Sequence, residues 1–100
     1  MTETAQITRT YRQAQGLSLR AFADEINQNL INTDVSFSKV ARWEDGLYEP
    51  PLNLLFECIA TYPHSWIAQW AIENIEAMYP DLVQSGVVTF RLSKASTITE

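Results

Sequence analysis

Helix-starting and helix-stopping residues recur along this chain at short intervals. They dictate a string of short helices, not a sheet and not one long rod. Ser18, Ser36 and Ser65 each stand just before a run with helical hydrophobic spacing, while Gly16, Gly46 and Pro80 each stand just after one. A serine hydroxyl at the N-cap accepts a backbone N–H that the first turn leaves unpaired. Glycine takes the left-handed conformation common just past a helix end, and proline cannot carry a helix onward. With 3 Gly and 4 Pro in 100 residues, turn residues are too few for a meander of strands. The expected class is all-α, a single domain around one core.

The periodicity predicts five helices over residues 1–80. The first is expected at about 4–14, with Ile7, Tyr11 and Ala14 at helical spacing. The second is expected at about 19–31, where Phe22, Ile26 and Leu30 recur every four residues and Asp24 and Glu25 lie opposite. Asn32-Thr33-Asp34 then supplies turn chemistry. A third helix is expected at about 37–45, with Val40 and Trp43 on its inner face. Glu49-Pro50-Pro51 reads as extended, and Pro51 suits the first position of a fourth helix over about 51–60. Leu52, Leu55 and Ile59 form its stripe, widened by Phe56. The fifth, expected at about 66–79, is apolar on more than one face, where a helix on a small domain needs only one buried stripe. That excess predicts a second partner surface, with Trp70 in it.

Residues 81–93 read differently. Val88, Phe90 and Leu92 alternate with Val87, Thr89 and Arg91, which is a strand pattern. A lone strand leaves its backbone groups unpaired, and no second convincing strand exists in the chain. Pairing with the same strand of a second copy is the economical arrangement. Trp70, Val88, Phe90 and Leu92 are therefore the expected dimer contacts, and 94–100 the expected frayed tail.

Composition narrows the function classes. No run approaches the roughly 18 apolar residues of a membrane helix, and the polar N-terminus lacks an apolar signal core. Cys58 is the only cysteine, so no internal disulfide can form, and a reduced cytoplasmic home is expected. Catalysis needs convergent ionisable groups in a pocket. Here His64 is the only histidine and follows Pro63 in a loop, and Cys58 beside an apolar stripe reads as a small buried thiol. No Cys/His cluster suggests a metal, and no glycine-rich loop suggests a nucleotide. The expectation is a non-enzyme with no cofactor, metal or small-molecule substrate. The net charge of −5 is the wrong sign for a nucleic-acid reader, although the face turned to the phosphates is what decides.

Residues 16–60 nevertheless resemble the lambda-repressor-like helix-turn-helix family of the Cro and XRE type. The matching segments are GLSLRAFADEI, VSFSKVARWEDG and EPPLNLLFECIA, in the family's order. The resemblance implies a five-helix domain whose third helix is the recognition helix. It also implies a structural ion pair, because such proteins often set an Arg near the end of helix one against a Glu near the end of helix three. Arg12 and Glu44 hold those positions. If buried together, losing one partner would cost about 3–5 kcal/mol; as exposed charges they would contribute under about 1 kcal/mol. Three departures stand out. The turn between helices two and three is enlarged over 27–34, Leu19 replaces a Gln that usually touches phosphate, and the third helix is poor in Gln, Asn and Arg.

Successive helix residues rotate by about 100°. With Val40 and Trp43 inward, Ser38, Ala41, Arg42 and Asp45 face outward, flanked by Phe37 and Lys39. In this motif such a face enters the major groove. Arg42 matches guanine O6 and N7, or pairs with Asp45 instead. Ser38 can bond a base edge or phosphate; Ala41 and Phe37 can touch thymine methyls, or Phe37 packs under the enlarged turn. Arg20, Ser36, Lys39 and, from the following loop and helix, Tyr48 and Asn53 are phosphate candidates. The expected function is sequence-specific double-stranded DNA binding by a homodimeric transcription regulator. The alternative is the same fold serving as a protein-interaction module, an adaptor or antagonist of another regulator.

Overall fold

The computed structural model describes residues 3–31 and 33–81. They form five helices: α1 (Glu3–Ala14), α2 (Leu19–Asn27), α3 (Phe37–Glu44), α4 (Leu52–Thr61) and α5 (Trp66–Met78). The hydroxyls of Ser18, Ser36 and Ser65 accept from the backbone N–H of Ala21, Lys39 and Ile67, capping α2, α3 and α5. Helices α1 and α3 end alike. Gly16 and Gly46 sit at φ 67° and 77°, the left-handed region that disfavours a side chain. Leu17 N–H then donates to Arg12 O, and Leu47 N–H to Arg42 O, each at 3.0 Å. These six-to-one bonds satisfy carbonyls that the helix ends would leave open.

Two boundaries differ from the periodicity. Helix α2 stops at Asn27, short of the expected 31, because other groups take over its last carbonyls and its last side chain. The Tyr62 hydroxyl donates to Ile26 O at 2.7 Å, and Asn27 turns its amide toward Val35. Asparagine competes with the helix backbone in this way. Pro51 is the N-cap of α4 and not its first turn: its ψ of 141° is extended.

Helix α5 packs on both α4 and α1, while α3 packs on α2 and α1. The core cluster links three elements through aromatic rings. Phe22 of α2 lies 5.4 Å from the Trp66 ring and 5.6 Å, edge-on, from Trp70, and Trp43 of α3 lies 5.9 Å from Trp70. Offset and edge-to-face pairs at such spacings add about 0.5–1.5 kcal/mol each beyond burial. The Trp70 indole N–H donates to the Thr8 hydroxyl of α1 at 3.1 Å, inside the protein.

This corrects the placing of Trp70 at a dimer surface. It is fully buried, as are Ala68 and Ala71, with Ile67 and Ile75 nearly so. The surplus of apolar residues on α5 arises because it is the central helix, covered on two sides. The strand expected over 87–92, with Val88, Phe90 and Leu92, and the tail 94–100 lie outside the described residues.

A Trp70→Phe substitution should lower stability by about 2 kcal/mol, from lost volume and one lost hydrogen bond. The urea midpoint reads this. Unchanged stability with lost self-association would return Trp70 to an interface.

Candidate functional site

The orientation of α3 is set from behind. Val40, Trp43 and Glu44 are buried; Phe37, Lys39, Arg42 and Asp45 are exposed; Ser38 and Ala41 are half-buried. The outward face therefore leans toward Phe37 and Lys39, the flanking positions, more than toward Ser38 and Ala41.

Glu44 anchors the far end of the helix. Only 4 % of its side chain is exposed, and Arg12 grips it twice, Nε to Oε2 at 2.6 Å and Nη2 to Oε1 at 2.9 Å. That two-point fork is the strong form of an ion pair. Arg12 Nη1 also donates to Leu17 O at 3.0 Å, and the Glu44 hydrogen bond pushes the guanidinium pKa further up. Arg9 joins from one turn earlier, Nε to Oε1 at 3.3 Å and Nη2 to the Glu44 carbonyl at 3.2 Å. Arg9 was not singled out in the sequence, though its spacing of three from Arg12 puts both on one helix face.

The enlarged turn is bracketed. Asn27 Nδ2 donates to Val35 O at 2.6 Å, and Val35 N–H donates back to Asn27 Oδ1 at 2.8 Å. One side chain thus imitates a strand partner and closes the loop at its neck. From α4, Glu57 accepts from Ile31 N–H and from the Thr33 hydroxyl, at 3.1 and 2.8 Å. The Tyr62 hydroxyl accepts from Asn29 N–H at 3.0 Å. The loop is pinned although Ile31 itself is 89 % exposed. Neither Glu57 nor Tyr62 carried a signal in the sequence, because the pairs are about 30 residues apart in the chain.

Cations gather on the open side. The Arg20 guanidinium lies 4.4 Å over the Phe37 ring, joining the first turns of α2 and α3 in a cation–π contact. This contact is additional to the roles expected for Phe37, and it orients Arg20 beside α3. Lys39 Nζ donates to Asp34 O at 3.3 Å. Among the described residues no ion pair joins Arg42 to Asp45, so Arg42 remains open to a ligand. Lys39, Arg42 and Tyr48 line a cleft of about 330 Å³ with Trp43, Glu49 and Pro51. Asn53 lines the neighbouring cleft on the other side of Lys39. Ser36 is occupied in capping, as its hydroxyl accepts from Lys39 N–H at 3.3 Å. Leu47 and Tyr48 are 66 % and 63 % exposed beside the cleft.

Elsewhere, His64 is exposed and Cys58 is buried; burial pushes the Cys58 thiol up to about 12. Among the described residues no three His, Cys, Asp or Glu side chains group to hold a metal, and no helix is long and apolar enough to cross a membrane.

Glu44→Ala should cost about 3 kcal/mol, since two arginines lose their common partner, and Glu44→Gln less. A urea-midpoint change equivalent to under about 1 kcal/mol would reduce the pair to a surface contact. Cys58 should resist a thiol reagent at pH 8 until the chain opens; immediate stoichiometric labelling would contradict its burial. Searches of family models, curated proteins and solved structures with this chain return no match.

Proposed function

We propose that the chain is a sequence-specific double-stranded DNA-binding transcription regulator of the lambda-repressor-like helix-turn-helix kind, acting as a homodimer in the cytoplasm. One observation supports it most. A short capped helix, α3, is clamped from behind by Trp43 and Glu44 and leaves Phe37, Lys39 and Arg42 exposed, with Arg20 held alongside.

In this reading Arg42, which has no ion pair among the described residues, reads a guanine edge. Lys39 and Arg20 meet phosphate, helped by the unpaired N–H groups at the starts of α3 and α2. Ser38 and Ala41, half-buried, contribute less than Phe37 at the rim. Tyr48 and Asn53 reach the backbone from the clefts beside α3. No chemical step is required of the protein, and none is assigned to it.

A second reading has its own support. Leu47 and Tyr48 are large, apolar and exposed at the end of α3, and Asp34, Asp45 and Glu49 are exposed near the cations. A protein partner suits that mixture, as an adaptor or antagonist would.

Selection from a random duplex library at low salt separates the two. Enrichment of a motif is expected, relaxed at one position by Arg42→Ala. Three cations per subunit give about six contacts per dimer and a slope of log K against log salt near −5. No enrichment, or binding indifferent to salt, would favour the protein partner.

A further inference from the structure

The α1–α5 pair carries a groove of about 410 Å³ on the protein surface. Half-buried Ile7, Ile72 and Ala77 give it an apolar lining, and exposed Glu3, Glu73 and Glu76 give it three carboxylates. On α5 the lining positions recur at i, i+3 and i+4, one continuous stripe from Gln69 to Ala77. Of these carboxylates, Glu73 already accepts from the Tyr11 hydroxyl.

No cation of the described residues lines this groove. Arg9 and Arg12 are engaged by Glu44, Arg20 lies on Phe37, and Lys39 and Arg42 line the α3 cleft. The chain has 7 cations, so the remaining two are Arg91 and Lys94. Both sit in VVTFRLSK, within a stretch from Leu82 to Thr99 that holds no acidic residue. Residues 4–23 also hold cations and no acidic residue, but their Arg9, Arg12 and Arg20 are engaged as above; the C-terminal stretch joins its two cations to the chain's apolar alternating segment.

We propose that the α1–α5 groove is the seat of residues 87–94 from a second copy of this chain. The inference rests on the homodimer reading and supplies its interface. In extended form Val88, Phe90, Leu92 and Lys94 share one side. The three apolar residues meet Ile7, Ile72 and Ala77, Lys94 continues toward a carboxylate, and Arg91 reaches the rim from the other side. The lengths agree. Val88 to Leu92 spans about 13 Å as a strand, and Gln69 to Ala77 about 12 Å as a helix.

A second copy fits better than the chain's own tail. In a two-fold arrangement the two segments pair with each other through backbone hydrogen bonds. A segment folded back alone would keep those groups unpaired.

Sedimentation of the full chain without DNA tests the seat. Wild type should be a dimer. Glu73→Lys with Glu76→Lys should weaken association about tenfold, as should Arg91→Glu with Lys94→Glu. Combining both pairs should restore most of it, which also shows that the altered chains fold. Phe90→Ser should weaken association without charge change. A dimer indifferent to both pairs, or a combination that fails to recover, would overturn the seat while leaving the dimer reading intact. A full chain monomeric at all concentrations would remove seat and dimer together, including the case in which the chain's own tail fills the groove. DNA selection is read separately and distinguishes these failures from loss of the DNA reading.

Discussion

The indole of Trp70 is the contact on which the other packing decisions depend. It lies on α5, meets Phe22 of α2 and Trp43 of α3 through its ring, and bonds Thr8 of α1 through its N–H. A ring of this size buries about 150–250 Å² and is the largest single contribution a small core can receive. Its polar edge needs a buried partner, which fixes how α1 must lie. Remove the ring and three helices lose their common surface at once, so the fold is cooperative in a way that its short helices are not separately.

A second constraint acts one residue beyond Trp43, at the last residue of α3. Ion pairs in the interior are costly to desolvate, and their net contribution to stability is small or negative compared with apolar packing. What the Arg9–Glu44–Arg12 cluster supplies is direction. The fork of Arg12 admits few geometries, and Leu17 O, held by the same guanidinium, ties the turn after α1 into it. The indole at position 43 and the carboxylate at 44 together set the rotation of α3 about its axis, and hence which side chains look outward.

Local signals carried far in this chain. The three serine caps and the two left-handed glycines have short-range causes, and the five helices follow from them with boundaries shifted by a few residues. Long-range pairing was opaque. Trp70 and Trp66 look alike in sequence, yet only the arrangement of α1 and α4 around α5 tells which is interior. The Asn27 bracket and the hold of Glu57 and Tyr62 on the enlarged turn join residues that no periodicity relates. The outward face of α3 was legible to within one flank, because 100° per residue fixes the order of positions while neighbours fix the zero.

The shared attachment of α1 has a mechanical consequence. Its middle is fastened to α5 through Thr8 and its last turns to α3 through Arg9 and Arg12. Sliding α1 along one neighbour would break its bond to the other, so the three helices form a braced triangle. A braced body cannot mould itself to whatever it touches. Any fitting at the exposed edge of α3 falls to the opposite surface, or to movement of the braced body as a whole.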